Sequence, residues 1–351
     1  MSRSKAARLP PTSPYPVLQV RNLTPFEVAI MPLPDQEGVD TMFAIVKGTF
    51  AIGDRVTVAD EQVPVSFADE HHGDPAASSI RVPSDVCLGK PATDVLLFGS
   101  AWASDGRPTW QMDVSVAVGP VAKTIRVFGD RVWETGPGGT SVAWVAPFLR
   151  MPLVWERAFG GTDDTSAGPS AEPRNPVGVG FRAPNGTKPL KGLPLPNLED
   201  PGALISSPRA TPPPACCAPV APNWQPRLSY AGTYDEAWQM SRAPYLPRDF
   251  DPRFFQLAPA SLVARGYLRG GEPVDVRGAT PGGRLQFVLP TVDLQMTFHV
   301  DSGSHESPVA LDTVIIDSDA ARLVMVWRAA LRCDKATLKV REIETTLLHA
   351  A

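Results

Sequence analysis

The sequence predicts a mainly β protein, with antiparallel sheets in a sandwich-like or open-barrel arrangement, a long Pro-rich central wrap and little helix. Short apolar runs bounded by Gly and Pro recur with no helical pattern between them, as in all-β folds. Residues 110–119 alternate in period two, which places four apolar residues on one strand face: Met112, Val114, Val116 and Val118. Of 39 prolines, 20 lie within residues 151–260, which excludes an ordinary central sheet there because proline lacks a backbone donor.

The N-terminal part is predicted to begin with a disordered leader over residues 1–14, followed by a β region over residues 15–150. The runs FAIVKGTF (43–50) and DVLLFGSAWA (94–103) are apolar, branched or aromatic and are bounded by turn residues. Both therefore predict strands. KTIRVFGDRVW (123–133) follows the alternating run after a short GPVA segment, which predicts an antiparallel pair.

The central region, residues 151–260, is expected to wrap the sheets as turns pinned by aromatic side chains, because a structureless loop of that length is unusual in a compact domain. Within it, GTYDEAWQMSR predicts a short helix that Thr233 caps and that runs to about Arg242.

The C-terminal region, residues 261–351, predicts further strands. GEPVDVRGATPGGRLQFVLP (271–290) indicates a hairpin with TPGG as its turn, and four strand-like runs follow: 293–301, 311–319, 322–329 and 336–344. Residues 320–332 are also compatible with a helix, although a strand is favoured. The three regions form either one domain or more than one β core.

Composition excludes several function classes. The net charge of −4 and the absence of a long basic run argue against nucleic-acid binding. No signal peptide is evident, and no run of about 18 apolar residues occurs, so neither export nor membrane insertion is expected and a cytoplasmic protein is predicted. None of the four cysteines has CxxC spacing, which argues against a zinc site. Cys216 and Cys217, within TPPPACCAPVAP, are expected in an exposed, unactivated loop.

VWERAFGGTDDT (154–165) offers three interpretations. A phosphate-binding loop is disfavoured because no strong helix pattern follows the glycines. A glycosidase-type acid pair could combine Glu156 with Asp163, Asp164, Glu199 or Asp235. The favoured interpretation is a structural turn, in which Gly160 and Gly161 supply positive φ. Trp155 and Phe159 would then pack inward, while Glu156 and Arg157 pair with each other or cap backbone groups.

Other catalytic chemistry has little support in the sequence. No GxSxG motif is present. The pair His71 and His72 would point to opposite faces of a strand, and a polar loop explains them better than a metal site. We therefore predict no catalytic residue, no metal, no cofactor and no enzyme.

A dense aromatic and arginine-rich patch spans residues 223–259. Such composition is typical of protein-recognition surfaces, but it also suits a loop that covers a sheet. The candidate partner-binding residues are Trp224, Arg227, Tyr230, Tyr234, Trp238, Phe250, Arg253 and Phe254.

Several segments follow one another in order within residues 15 to about 330, among them MPLVWERAFGGTD, NPVGVGF, LPNLEDP, WQPRLSYAGTYDEAW, PRDFDPRFFQLAP and LDTVIIDSDAARLVMVWR. Together they resemble a domain-of-unknown-function family encoded in bacterial type VI secretion clusters, whose members are regarded as effector adaptors or chaperones. Its motif residues, interpreted as structural, are Trp155, Glu156, Arg157, Phe159, Gly160, Gly161, Asn175, Pro176, Gly178, Asn197, Thr233, Asp235 and Asp251. PPACCAPVAP stands where many members carry PAGFGP, so neither cysteine is taken as a functional residue.

The resemblance implies a cytoplasmic adaptor that binds a cognate effector protein and helps load it onto a VgrG/PAAR-type spike. Two alternatives remain open. One is a carbohydrate- or cell-wall-acting hydrolase that uses the paired carboxylates, and the other is a spike-associated or secreted component. The lack of a visible repeat period argues against the spike alternative.

Overall fold

The computed structural model describes residues 18–165, 168, 170–334 and 337–350. The predicted leader over residues 1–14 lies outside them. Within this part of the chain the structure is mainly β, with mostly antiparallel sheets and little helix, as the sequence predicts.

Twenty-five strands occur in the described residues. Those of the N-terminal region are β1 Gln19–Leu23, β2 Glu27–Pro34, β3 Asp40–Ile52, β4 Val56–Val58, β5 Glu70–His71, β6 Ile80–Val82, β7 Asp94–Phe98, β8 Ser100–Trp102, β9 Gln111–Val118, β10 Val121–Phe128, β11 Asp130–Gly136 and β12 Gly139–Ala146. The central strands are β13 Arg150–Pro152, β14 Phe159–Gly160, β15 Thr162–Asp163, β16 Ser170–Ala171, β17 Val179–Gly180 and β18 Leu198–Glu199. The C-terminal strands are β19 Pro273–Arg277, β20 Arg284–Val288, β21 Val292–Val300, β22 Gly303–Ser307, β23 Ala310–Asp317, β24 Arg322–Arg332 and β25 Val340–Ala350.

Helical structure is limited to short segments. The α-helix α1 spans Glu236–Ser241. The 3₁₀ turns are Ser104–Gly106, Trp155–Arg157, Arg227–Tyr230, Pro252–Phe255, Ala260–Leu262 and Thr337–Lys339. None of the helices in the described part of the chain has the length and apolar character needed to traverse a bilayer.

The main sheet has the strand order β2-β3-β24-β23-β7, with β4 paired to β3. β3 and β24 are antiparallel from Thr41↔Arg332 to Ala51↔Arg322. The segment that is also compatible with a helix, residues 320–332, is therefore a strand from Arg322 to Arg332, after a turn at residues 320 and 321. Leu323 to Trp327 are buried without interruption, as expected of a central strand that is covered on both faces.

Two further sheets complete the framework. One has the order β18-β10-β9-β19-β20, and the other has the order β1-β25-β21-β22. The predicted antiparallel pair is confirmed, because β9 pairs with β10 from Val118↔Val121 to Gln111↔Phe128. The predicted hairpin is also confirmed, because β19 pairs with β20 from Arg277↔Arg284 to Pro273↔Val288. The largest hydrophobic cluster contains residues from all three predicted regions.

The Pro-rich central region covers the open edge of the main sheet. The Leu97 amide of edge strand β7 donates to the Cys217 carbonyl. Cys216 and Cys217 are buried, so the prediction of an exposed loop was wrong. Their segment accepts from one amide of an edge strand and covers that edge, and exposed edges are a site of unwanted pairing.

The helix α1 forms where it was predicted, but Asp235 caps it and Thr233 does not. Asp235 Oδ1 accepts from the Trp238 amide at 2.8 Å. Thr233 instead bonds Asp249, through its amide at 3.0 Å and its hydroxyl at 2.7 Å. The prediction of a Thr233 cap was therefore wrong by two residues. Thr and Asp are both favoured at the N-cap position, so residue type does not decide between Thr233 and Asp235.

One face of the main sheet carries a buried ionic cluster of six residues: Lys47, Asp85, Lys90, Asp94, Asp312 and Arg328. Three ion pairs of 2.8 Å join them, namely Lys47 with Asp85, Lys90 with Asp94, and Arg328 with Asp312. The three cations and three carboxylates balance.

Burial acts to lower the pKa of Lys90, but the carboxylates of Asp94 and Asp312 outweigh it and raise that pKa. The ammonium therefore stays charged at neutral pH. Removing one partner of such a pair is costly, whereas removing both charges is much less so.

We expect Lys47→Met to lower the free energy of unfolding by about 3–5 kcal/mol, because the Asp85 carboxylate is left buried without its cation. The double variant Lys47→Met/Asp85→Asn should recover most of this loss. Its side-chain amide oxygen at position 85 can still accept from the Ser66 amide, which donates to the Asp85 carboxylate at 2.7 Å. Denaturant titration measures both. Arg21→Ala, which breaks an exposed pair with Glu344, is the control and should cost about 0–1 kcal/mol. A double variant as unstable as the single one would contradict the argument.

Thiol reactivity provides a second test. Burial raises the pKa of both Cys216 and Cys217 to about 12, so a thiol reagent at pH 8 should find about one thiolate in 10⁴ at each. Cys333 is half-buried, whereas Cys87 is buried. We expect one thiol to react with an aromatic disulfide reagent in the folded protein and four after unfolding. Cys333→Ser should abolish the fast phase, and a fast phase that survives this change would show that the central wrap opens readily.

Candidate functional site

The candidate site is an aromatic surface on the central region, defined here by Leu228, Tyr230, Tyr234, Trp238, Met240, Tyr245 and Arg253. Met240 is 81% exposed and Tyr234 is 53% exposed. Leu228 and Tyr245 are also exposed, and Tyr230 and Trp238 are half-buried. Large apolar side chains are thus presented to solvent from a segment with little regular structure.

Ring contacts join the members of the aromatic surface into two halves. The Tyr234 and Trp238 rings meet edge to face, with centroids 4.7 Å apart, and Trp238 Nε1 donates to the Tyr245 carbonyl at 2.9 Å. In the other half, the Arg253 guanidinium lies 4.4 Å from the Tyr230 ring centroid. Such cation–π contacts hold both groups at a fixed distance.

Two carboxylates connect these halves to the backbone. Asp249 accepts from Thr233, and these bonds hold the pKa of Asp249 below its usual value. Asp251 accepts from the Arg253 guanidinium, which lowers the Asp251 pKa, and it also accepts from the Arg253 amide, which starts a 3₁₀ turn. Both carboxylates are therefore ionised at neutral pH and keep the loops in place.

The aromatic surface is tied to the β2–β3 turn of the main sheet. The Arg242 guanidinium donates to the carbonyls of Gln36, Glu37 and Leu246. A Cβ on Gly38 would lie 3.1 Å from the Tyr245 ring, so the turn and the ring are in close contact. The surface is thereby held on a rigid support.

Three of the candidate partner-binding residues are buried: Trp224, Arg227 and Phe250. Arg227 Nε donates to the Phe254 carbonyl at 2.9 Å, and the half-buried Phe254 lies in a ring cluster with Phe250. Burial lowers the pKa of the Arg227 guanidinium. These residues support the aromatic surface from below and offer no accessible area of their own.

The VWERAFGG motif lies at a junction of loops, the Trp155–Gly178 junction. Trp155 Nε1 donates to the Pro219 carbonyl at 2.8 Å, and its ring meets Trp224 edge to face at 6.0 Å. Asn175 Nδ2 donates to the carbonyls of Trp155 and Phe159 at 2.8 and 3.0 Å. The motif therefore connects the central wrap to the segment 216–224.

Glycine is required in the Trp155–Gly178 junction because the backbones nearly touch. Gly160 and Gly161 have φ of +152° and +100°, and a Cβ on Gly160 would lie 2.0 Å from the Asn175 carbonyl oxygen. Gly178 has an ordinary φ, but a Cβ there would lie 2.5 Å from the Ala158 carbonyl oxygen. Pro176 is half-buried beside them.

The polar motif residues also have structural partners. Arg157 Nη1 donates to Asn197 Oδ1 at 3.1 Å, and Asn197 Nδ2 donates to the Phe128 carbonyl at 3.1 Å. Glu156 accepts from the Ser79 amide at 2.7 Å and from its hydroxyl at 2.8 Å. Of the two predicted arrangements, pairing of Glu156 with Arg157 is not observed, whereas capping of a backbone group is confirmed for Glu156 by its bond from the Ser79 amide.

The carboxylates considered for hydrolysis are engaged in backbone hydrogen bonds. Besides Glu156, Asp163 accepts from the Ala183 amide at 2.9 Å and Glu199 accepts from the Ile205 amide at 2.7 Å. Glu199 also pairs with Arg131, and Asp235 caps α1. Asp164 is exposed. Four of the five thus hold the fold together.

One group of potential metal ligands occurs in the described residues: His299, Glu342 and Glu344. His299 Nδ1 is bonded to Ser304 Oγ at 2.7 Å and Glu344 pairs with Arg21 at 2.8 Å. Two of the three groups, His299 and Glu344, thus have protein partners. His71 lies on β5 and His72 follows it, and neither belongs to this group.

Sequence reasoning missed Leu228 and Met240, although both lie in or beside the patch that it identified. It also missed an exposed aromatic pair, Trp110 and Trp144, whose ring centroids are 5.7 Å apart. Met240 lies in α1 and Trp144 in β12, so an element assignment does not identify them, and only the three-dimensional contacts show which apolar side chains stay outside the core.

Comparison with known proteins identifies one family. Residues 37–328 match the model of a family described as "Uncharacterized protein conserved in bacteria (DUF2169)". No curated protein and no solved structure matches the chain.

The close packing at the Trp155–Gly178 junction can be tested with a matched glycine pair. Gly178→Ala should lower the free energy of unfolding by about 1–3 kcal/mol, because the new methyl group overlaps the Ala158 carbonyl. Gly136→Ala is the control, since Gly136 also lacks a positive φ and a Cβ there meets nothing within 4 Å. Equal losses in denaturant titration would show that the junction relaxes and that close packing does not explain the glycine.

Proposed function

The chain belongs to the DUF2169 family of uncharacterized proteins conserved in bacteria, and we propose that it is an effector adaptor or chaperone of a type VI secretion system. In this role it binds a cognate effector in the cytoplasm and helps load it onto a VgrG/PAAR-type spike. The family description names no activity, so the proposal combines the resemblance of the motifs with the properties of the aromatic surface.

The observation that carries the proposal is the exposed, rigidly held aromatic surface. Tyr, Trp, Met and Arg are the residue types enriched where proteins recognise each other. Few side-chain torsions are lost when rings such as Tyr234 and Trp238 are buried by a partner, since their contact already orders them. Because the surface is preorganised in this way, binding of a partner costs less conformational entropy.

The engagement of the candidate acids argues against the hydrolase alternative. A glycosidase needs two carboxyl groups that face one bond in a cleft, whereas Glu156, Asp163, Glu199 and Asp235 bond backbone amides in four different segments. The secreted or spike-associated alternative is distinguished by location. Recovery of the protein from culture supernatant together with secreted effectors would favour that alternative over an adaptor that stays in the cell.

The direct test is affinity capture of the tagged protein from its native cytoplasm, followed by mass spectrometry. The adaptor proposal expects a VgrG-type spike protein or a PAAR-bearing toxin among the captured proteins. If the chain is captured alone even after mild crosslinking, the proposal fails.

The aromatic surface makes this test specific. We expect Tyr234→Ala and Met240→Ser each to weaken partner binding about tenfold, which corresponds to about 1.4 kcal/mol. Their free energies of unfolding should change by no more than about 0.5 kcal/mol, because both side chains are exposed. Binding of the purified partner by calorimetry measures the first effect and denaturant titration the second. Phe67→Ser is the control, as Phe67 is 64% exposed outside this surface, and a loss of binding in the control alone would place the interface elsewhere.

A further inference from the structure

A cavity of about 560 Å³ lies on the face of the main sheet that carries the buried ionic cluster. Phe98, Ile315 and Val324, from three neighbouring strands, form its apolar floor. Residues of two other segments, among them Ile80 and Leu153, form its walls. Its size falls within the range of ligand sites, which are mostly apolar with a few polar groups.

Two charged residues of the cavity lining are separated along the strands. Lys47 is paired with Val326 in the sheet register, whereas Arg322 is paired with Ala51. Both line the cavity on the same sheet face, four residues apart, which corresponds to roughly 13 Å at about 3.3 Å per residue. The two charged groups therefore mark opposite ends of the cavity, with Val324 between them.

At the Lys47 end, the buried ammonium group has hydrogen-bond donors to spare. The Lys47 side chain is 3% exposed, and among the described residues its ammonium makes one hydrogen bond, to Asp85 Oδ2. An ammonium group has three donors, so two of them lack a protein acceptor. Leaving buried donors unused is costly, and an anionic group at this end of the cavity would accept both.

Each cationic side chain of the cavity lining has a carboxylate partner, so the ion pairs leave no net charge at the cavity. Four cationic side chains line the cavity, namely Lys47, Arg81, Arg150 and Arg322, against two carboxylates, Asp317 and Asp319. The carboxylates that pair with Lys47 and Arg81 are Asp85 and Glu70, and these lie outside the lining.

The opposite end is open and has both signs of charge. Arg150 pairs with Asp319 at 2.7 Å and Arg322 with Asp317 at 3.2 Å, and both arginines are partly exposed. Arg322 Nε is buried and has no partner among the described residues. Asp319 already accepts from Ser100 Oγ and Trp102 Nε1, and Asp317 accepts from the Ala320 amide. The spare group at this end is therefore Arg322 Nε, which can donate to a peptide carbonyl. A simple acyl chain would leave this donor unused.

We propose that this cavity binds the C-terminal residues of a partner polypeptide in extended conformation. The terminal carboxylate bonds Lys47 Nζ, two or three apolar side chains cover the floor, and the backbone passes between the two ion pairs at the open end. About four residues span the distance. This inference rests on the proposed function for the nature of the partner, but it concerns a site separate from the aromatic surface.

The test uses the purified full chain and a library of fluorescein-labelled pentapeptides. The last three positions are drawn from Leu, Ile, Val, Phe and Met, and the library is made with free C-terminal carboxylates and again as C-terminal amides. Fluorescence anisotropy should show saturable binding of the free acids, with the amides at least tenfold weaker. Equal binding of the two libraries, or no binding up to about 1 mM protein, would overturn the proposal.

Variants locate the site. Lys47→Met/Asp85→Asn, which removes both charges together, should abolish the preference for the free carboxylate. Val324→Phe, which places a larger side chain on the cavity floor, should weaken binding of the free-acid library at least tenfold. Leu338→Ser, a change at an exposed residue that does not line the cavity, should have no effect. If Val324→Phe folds with a normal unfolding transition and still binds fully, the peptides bind elsewhere and the assignment is wrong.

Two outcomes separate this inference from the proposed function. If decanoate displaces the peptides as well as they displace each other, the cavity takes acyl carboxylates and the peptide assignment fails. If Val324→Phe leaves capture of the partner unchanged while no peptide binds, the adaptor function stands without the C-terminal site. Peptide binding without any captured partner would instead support the site and contradict the type VI assignment.

Discussion

The fold depends on the need to neutralise charges that are buried on one face of the main sheet. Lys47 and Arg328 project from the two central strands, where an unpaired charge would be strongly destabilising. Their partners, Asp85 and Asp312, come from a loop and from the next strand. Asp94 adds the segment 256–258, because it accepts from the Leu257 and Ala258 amides. Three distant parts of the chain are thereby brought to one face, and the cavity lies where this cover is incomplete.

The Pro-rich central region solves a related problem with backbone groups. A long irregular segment must find partners for its amides and carbonyls if it is to be buried. Here side chains supply many of them: Asn175, Trp155 and Arg227 donate to carbonyls, while Glu156 and Asp163 accept from amides. The conspicuous acidic and aromatic residues of this region thus form hydrogen bonds within the fold. The side chains that remain exposed are the ones available to a partner.

Most of the strands with eight or more residues could be predicted from the sequence, because an apolar run bounded by turn residues, or an alternating one, is a local signal. The sequence could not predict which aromatic residues of the patch are exposed. Trp224 and Tyr234 lie in similar local sequence, and they differ only in what packs above them. The burial of Cys216 and Cys217 depends on a strand more than a hundred residues away in sequence. One sequence feature does point to the cavity, namely the lysine in the middle of FAIVKGTF. A buried strand rarely contains a charged residue unless that residue has a partner.

The pairing of β3 with β24 has a consequence for synthesis of the chain. Thr41 pairs with Arg332 and Gln19 pairs with Glu342, so β3 and β1 pair with strands that are synthesised about 300 residues later. Contacts of such high sequence separation form slowly, and the apolar β3 has no strand partner from β24 until the chain has been synthesised that far. Nascent chains and truncated products therefore expose a long apolar strand. Such a segment binds chaperones or aggregates.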